Sequence, residues 1–93
     1  MSYIIKYTSR FKKEYKLMKK RGYDLKLLEK VISILVQGTP LPSLYKDHPL
    51  KSNWEGYREC HIQSDWLLIY KYQNEQLILS LVATGTHSDL FNK

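Results

Sequence analysis

The spacing of apolar and polar positions changes period twice along the chain. Residues 3–7 are short, β-branched and aromatic and predict a first strand. From Thr8 onward Phe11, Tyr15 and Met18 fall at i, i+4 and i+7, one stripe of a helix that Thr8 or Ser9 can cap and Gly22 can end. Asp24 can cap a second helix with Leu28, Val31, Ile32 and Leu35 on one face. Gly38, Pro40 and Pro42 stop that helix and open a loop reaching about Lys51. Residues 54–62, 66–72 and 77–82 are rich in aromatic and branched side chains. The polar breaks between them, 63–65 and 73–76, are short enough for hairpins. Residues 84–91 are expected to close with one helical turn. A strand, two helices and a meander predict an α+β fold of one domain, 1–93. Its N-terminal strand and two helices pack on one face of an antiparallel sheet of about four strands.

Strand alternation adds one detail. In the 54–62 run Cys60 and Ile62 share one side, and Glu59 and His61 share the other. If the apolar pair meets the helices, His61 projects onto the open face, unless a bulge intervenes.

The 93 residues are 43% apolar and 26% charged, which suits a globular chain and excludes a disordered one. The longest apolar runs, such as residues 66–70, fall far short of the roughly 20 a membrane helix needs. The start of the chain carries no secretory apolar run, so a cytoplasmic location is expected. A single cysteine, Cys60, offers neither an internal disulfide nor a Cys-pair metal site. It lies in mid-strand on the apolar side, a core position. The net charge of +6 is concentrated: residues 1–30 hold ten basic and three acidic side chains, a net of +7. Such a block suits a polyanionic partner, nucleic acid or an acidic protein segment, although a solvated helix face would look the same.

Three histidines are present, His48 in the Pro-rich loop, His61 near a strand end and His87 in the C-terminal turn. A lone histidine is usually structural, but loop ends distant in sequence can converge on one sheet edge. Two imidazoles can then serve as base and acid in one reaction, and Asp65 could orient one or act as a base itself. Trp54, Trp66, Phe91 and several tyrosines could stack on unpaired bases. Arg58, Lys46 and Lys51 could neutralise a phosphate. The set suits RNA cleavage by its own 2′-hydroxyl, a reaction that needs no cofactor. The histidine spacing fits no compact zinc motif, so no metal is expected. No serine sits in a nucleophile elbow, and four glycines make no phosphate loop.

Four ordered stretches carry a more specific signal. They are Tyr45-Lys46-Asp47-His48-Pro49-Leu50, Trp54-Glu55-Gly56-Tyr57-Arg58-Glu59-Cys60-His61, Asp65-Trp66-Leu67-Leu68-Ile69-Tyr70-Lys71 and Thr84-Gly85-Thr86-His87-Ser88-Asp89-Leu90-Phe91. Together with the basic helical region before Gly38, they resemble the YafQ branch of the RelE-like toxins of bacterial type II toxin–antitoxin pairs. The resemblance implies a ribosome-dependent mRNA endoribonuclease. It also implies an acidic ribbon-helix-helix antitoxin related to DinJ or RelB, through which alone the toxin would meet operator DNA. His48, His61, Asp65 and His87 match the family's catalytic or essential positions, with His87 the implied proton donor and the base left open among the other three. Trp66 and Phe91 match positions that shape the RNA pocket. Where the family often places an arginine suited to the scissile phosphate, this chain has Ala83. Either Arg58 or a lysine supplies the charge, or the toxin is weakened or engineered. The alternative function is a small RNA- or ribosome-binding module that blocks translation without cutting. A basic region serving chiefly as the antitoxin's dock is compatible with both.

Overall fold

The computed structural model describes residues 2–91. The change of period at Thr8 is where strand β1 (Ile4–Tyr7) gives way to helix α1 (Ser9–Lys20). Thr8 is extended, and its Oγ1 accepts from the Phe11 N–H at 2.9 Å. Beyond α1, Gly22 takes φ +88°, and the N–H groups of Gly22 and Tyr23 return to the carbonyls of Lys19 and Met18. That left-handed turn favours glycine and satisfies the last carbonyls. The Asp24 carboxylate then caps α2 (Leu25–Leu35) by accepting from the Lys26 N–H.

The C-terminal half supplies β2 (His48–Pro49), β3 (Arg58–Gln63), β4 (Trp66–Gln73), β5 (Ile78–Gly85) and a short helix α3 (His87–Phe91). One sheet results, in the order β1-β5-β4-β3-β2, with β1 parallel to β5 and the other neighbours antiparallel. Three expectations change. The N-terminal strand lies in the sheet itself, parallel to β5, so the sheet is mixed and not wholly antiparallel. The sheet has five strands, because His48 and Pro49 pair with Glu59 and Arg58 as a two-residue edge. Two residues, one of them a proline, have no period to read. The run expected from residue 54 becomes a strand only at Arg58: Ser52–Trp54 form a 3₁₀ turn, and Ser52 (φ +56°) and Gly56 (φ +93°) break the extended chain.

Alternation sorts the side chains onto two faces. α1 and α2 bury Phe11, Met18, Leu28, Val31 and Leu35 against Cys60, Ile62, Trp66, Leu68, Tyr70, Leu79 and Leu81. The other face carries a smaller cluster of Leu67, Ile69, Ala83 and Leu90, flanked by Trp54, Tyr57 and Phe91, so α3 folds onto the face away from α1 and α2. A bulge sits in β5. Ile69 pairs with Ala83 and Tyr70 with Leu81, which leaves Val82 extra and turns Val82 and Ala83 to the same face. Thr84 then points back, its Oγ1 accepting from Trp66 Nε1 and donating to the Leu67 carbonyl. A second irregularity lies just past His61, so Glu59 and His61 do share the face opposite Cys60 and Ile62. Among the described residues, no helix is long and apolar enough to cross a membrane.

Candidate functional site

The site begins with a pairing between strands. His48 on β2 stands directly opposite Glu59 on β3, and its Nε2 lies 3.1 Å from Glu59 Oε1. Two residues along the same face of β3, His61 Nε2 lies 3.6 Å from that same oxygen. Glu59 is buried while His48 is exposed, so a carboxylate is held beneath two imidazoles. The Pro49 carbonyl, 3.1 Å from His48 Nδ1, can only accept, so Nδ1 carries a hydrogen. The contact between His48 and Glu59 therefore shares one proton between Nε2 and Oε1.

His87 joins from the far end of the sheet. It is the first residue of α3, and Asp65, in the turn between β3 and β4, accepts from both its backbone N–H (2.9 Å) and its Nδ1 (2.5 Å). These two bonds, with the backbone one the larger, hold the Asp65 carboxyl below its usual range. An ionised Asp65 can only accept, so His87 carries its hydrogen on Nδ1 and keeps Nε2 for chemistry. His61 lies between the other two imidazoles, with ring centroids 6.4 Å from His48 and 5.7 Å from His87. His48, His61, Asp65 and His87 thus stand together on the face of the sheet away from α1 and α2, brought there by β2, β3, the β3–β4 turn and the start of α3.

α3 is fixed from two sides. Thr86 Oγ1 accepts from the Asp89 N–H, and Asp89 Oδ2 accepts from the Thr86 N–H, a reciprocal cap on the first turn. Asp89 also takes both Nη groups of Arg21, at 2.6 and 3.1 Å, from the end of α1. That guanidinium, helped by the Thr86 bonds, brings the Asp89 carboxyl down to about 2.

Other expected site residues are placed elsewhere. Arg58 shares the parity of Cys60, so its guanidinium is on the helix face, paired with Asp47 at 3.1 Å, and Asp47 also accepts from the Tyr70 hydroxyl. Trp66 is fully buried in the helix-side core and presents no face for a base to stack on. Ala83 is on the site's face but fully buried under Leu90 and its neighbours. Lys46 and Lys51 are exposed in the loops around β2. Phe91 is half-buried, 6.4 Å from Trp54 in an edge-to-face contact. Cys60 is buried, and desolvation pushes its thiol up, out of reach of nucleophilic chemistry.

The sequence reading missed Glu59 as a site residue, although its shared parity with His61 was the available signal. His48, Glu59 and His61 offer ligand atoms that all lie within 4.8 Å of one another, so they could hold a divalent transition ion through two imidazoles and a carboxylate. An ion there would displace the proton shared by His48 and Glu59 and take up the lone pairs that hold it.

Known proteins resemble this chain over nearly its whole length. The model of a family described as bacterial toxin of type II toxin–antitoxin system, YafQ, matches residues 3–92. The mRNA interferase toxin YafQ of Escherichia coli strain B / BL21-DE3 is 46% identical over 88 residues, 94% of each chain. The crystal structure of YafQ from E. coli BL21(DE3) superposes with a TM-score of 0.90 at 43% identity, covering 96% of this chain and 98% of that one. The toxin in the crystal structure of the E. coli DinJ–YafQ complex matches with a TM-score of 0.88 at 43% identity, over 96% and 98%. With the family model spanning nearly the whole chain, this protein belongs to the YafQ family of bacterial type II toxin–antitoxin toxins.

Proposed function

We propose that this chain inhibits translation by cutting mRNA on the ribosome, using the RNA's own 2′-hydroxyl as nucleophile. The observation that carries the reading is the row His48, His61, His87, with a carboxylate at each end: Glu59 at His48 and Asp65 at His87. In-line displacement puts the attacking and leaving oxygens on opposite sides of phosphorus, so base and acid must be separated by the width of a phosphate. The reading assigns the base to the His48 end of the row and the acid to the His87 end, with His61 between them.

In this mechanism the 2′-hydroxyl displaces the contact between His48 Nε2 and Glu59, which keeps the shared proton, and gives its own proton to that nitrogen as the O2′–P bond forms. His61, in the middle of the row, donates to a phosphoryl oxygen whose charge rises in the transition state. His87, oriented by Asp65, gives its Nε2 proton to the 5′-oxygen as the P–O5′ bond breaks. The products are a 2′,3′-cyclic phosphate and a 5′-hydroxyl. Asp65 is thereby an orienting group, and the imidazoles supply every proton transfer.

The partner follows from the same relatives, one of which was solved in complex with DinJ. A cognate antitoxin would find an apolar groove of about 730 Å³ between β1, α1 and α2, containing Ile5, Tyr7, Phe11 and Ile32, with Lys12 and Lys16 along it. An amphipathic acidic segment suits that lining.

The test is cleavage of one translated message by the purified chain with ribosomes. His87→Gln and His87→Ala should each lose about 10²–10⁴-fold, the usual worth of a general acid, while circular dichroism stays unchanged. EDTA should leave the rate as it was. A folded His87 variant that cuts at full rate removes the assigned role. A chain that stops growth while the message stays intact makes the non-cutting translation blocker the better account.

A further inference from the structure

We infer that Arg10, from the first turn of α1, holds a phosphate of the bound RNA on the face of the sheet that carries the histidines. This rests on the nuclease reading above and adds a substrate contact to it. The starting point is a vacancy in the chemistry. β5 carries Ala83, which is fully buried, and Arg58 is tied to Asp47 on the other face of the sheet. The face that carries the histidines still needs a cation for the phosphate.

The geometry around residue 83 identifies one. β1 ends where Tyr7 pairs with Leu81, so β5 runs on past its neighbour with an unpaired edge. The start of α1 covers that edge. Thr8 Oγ1 donates to the Val82 carbonyl at 2.7 Å, and Glu14 Oε1 accepts from the Thr84 N–H at 3.1 Å. These two bonds seize the residues on either side of Ala83. Between Thr8 and Glu14 stands Arg10, whose Nε donates to the other Glu14 oxygen at 3.0 Å. One carboxylate therefore fixes both the strand at Thr84 and the guanidinium of Arg10.

The guanidinium then lies over the Trp54 ring, 5.5 Å from its centroid, and Trp54 in turn meets Phe91 at the end of the helix that starts with His87. Glu14 and Trp54 set the position of the group. Its Nε is committed, but among the described residues its two Nη groups have no protein acceptor, and the side chain is 43% exposed. A planar fork of free N–H donors, held in place and open to solvent, suits bidentate contact with phosphate oxygens. Glu14 offsets part of the charge, so the contribution lies in orientation more than in long-range attraction. Another cation on this face, Lys71, lies over Tyr57 at 5.0 Å as a single ammonium on a flexible stem.

The experiment measures single-turnover cleavage of a translated message with ribosomes saturated by the full chain, alongside thermal midpoints. Arg10→Ala should slow cleavage by about 10²–10³-fold, the usual cost of losing one such donor, with ribosome affinity and thermal midpoint close to the parent's. Arg10→Gln, which keeps a donor for Glu14, should be slowed similarly if the phosphate contact is what matters. Arg10→Lys should recover part of the rate, and Lys71→Ala should stay near the parent. Overturning results are an Arg10→Gln protein that cuts as fast as the parent, or one whose lost rate follows a lost fold. A parent chain that leaves the message intact overturns the nuclease reading, and this assignment with it.

Discussion

An imidazole gives up a proton efficiently only when its other nitrogen is held, and at His87 the holder is Asp65. Asparagine in that place would keep an oxygen to accept from the His87 backbone but lose the charge that stabilises the imidazolium formed between turnovers. Asp65→Asn is therefore expected to slow cleavage by about 10²-fold, at the low end of a general acid's worth, with message binding retained. Rates and binding measured on the same variant check it, and full-rate cleavage would free Asp65 of its orienting role. The histidines themselves were legible in the sequence, because their types and turn contexts are local facts. Glu59 was not, since only its pairing with the edge strand sets it opposite His48. Arg58 and Trp66 had suitable chemistry on an unsuitable face: Arg58 shares parity with Cys60, and Trp66 with Leu68, both in the helix-side core.

At the scale of elements, α3 is five residues long, far too short to persist alone. It keeps His87 in place because Thr86 and Asp89 cap each other and Arg21 clamps Asp89 to the end of α1. The clamp has a pH signature. Asp89 in the folded chain is at about 2, below the ordinary value of 3.8, so its stabilisation is complete above about pH 4 and is lost as pH falls through 2. Arg21→Ala should lower the thermal midpoint by a few degrees at pH 7, and this deficit should close as pH approaches 2. Midpoints of the two proteins at several pH values check this, and a deficit independent of pH would assign Arg21 a packing role instead. Most elements were legible because stripes and caps are local: Thr8, Asp24 and Gly22 act where the pattern places them. What stayed hidden was settled by long-range pairing. β2 exists only because β3 has a free edge, and the bulge at Val82 turns Ala83 toward the second face.

At the scale of the whole molecule, charge is segregated from the histidine row. The first 30 residues hold a net charge of +7 out of a total of +6. On α1 the stripe of Phe11 and Met18 is buried while Lys12, Lys13, Lys16, Lys19 and Lys20 are exposed, so folding uses one side of the helix and leaves a cationic face on the other. Two polyanions could claim that face, ribosomal RNA in the active toxin and an acidic antitoxin segment in the silenced one, and competition between them would explain how binding the second prevents the first. RNA contacts of this kind release counterions, so the logarithm of ribosome affinity should fall linearly with the logarithm of salt, by about 0.7–0.9 for each phosphate engaged. Replacing Lys12, Lys13, Lys16 and Lys20 with glutamate should weaken ribosome association and flatten that salt dependence. The thermal midpoint should change little, because none of these side chains is buried. Cosedimentation with ribosomes across a salt series measures both quantities. If affinity ignores both salt and charge reversal, the lysines serve solubility alone, and ribosome recognition must be sought on the histidine face.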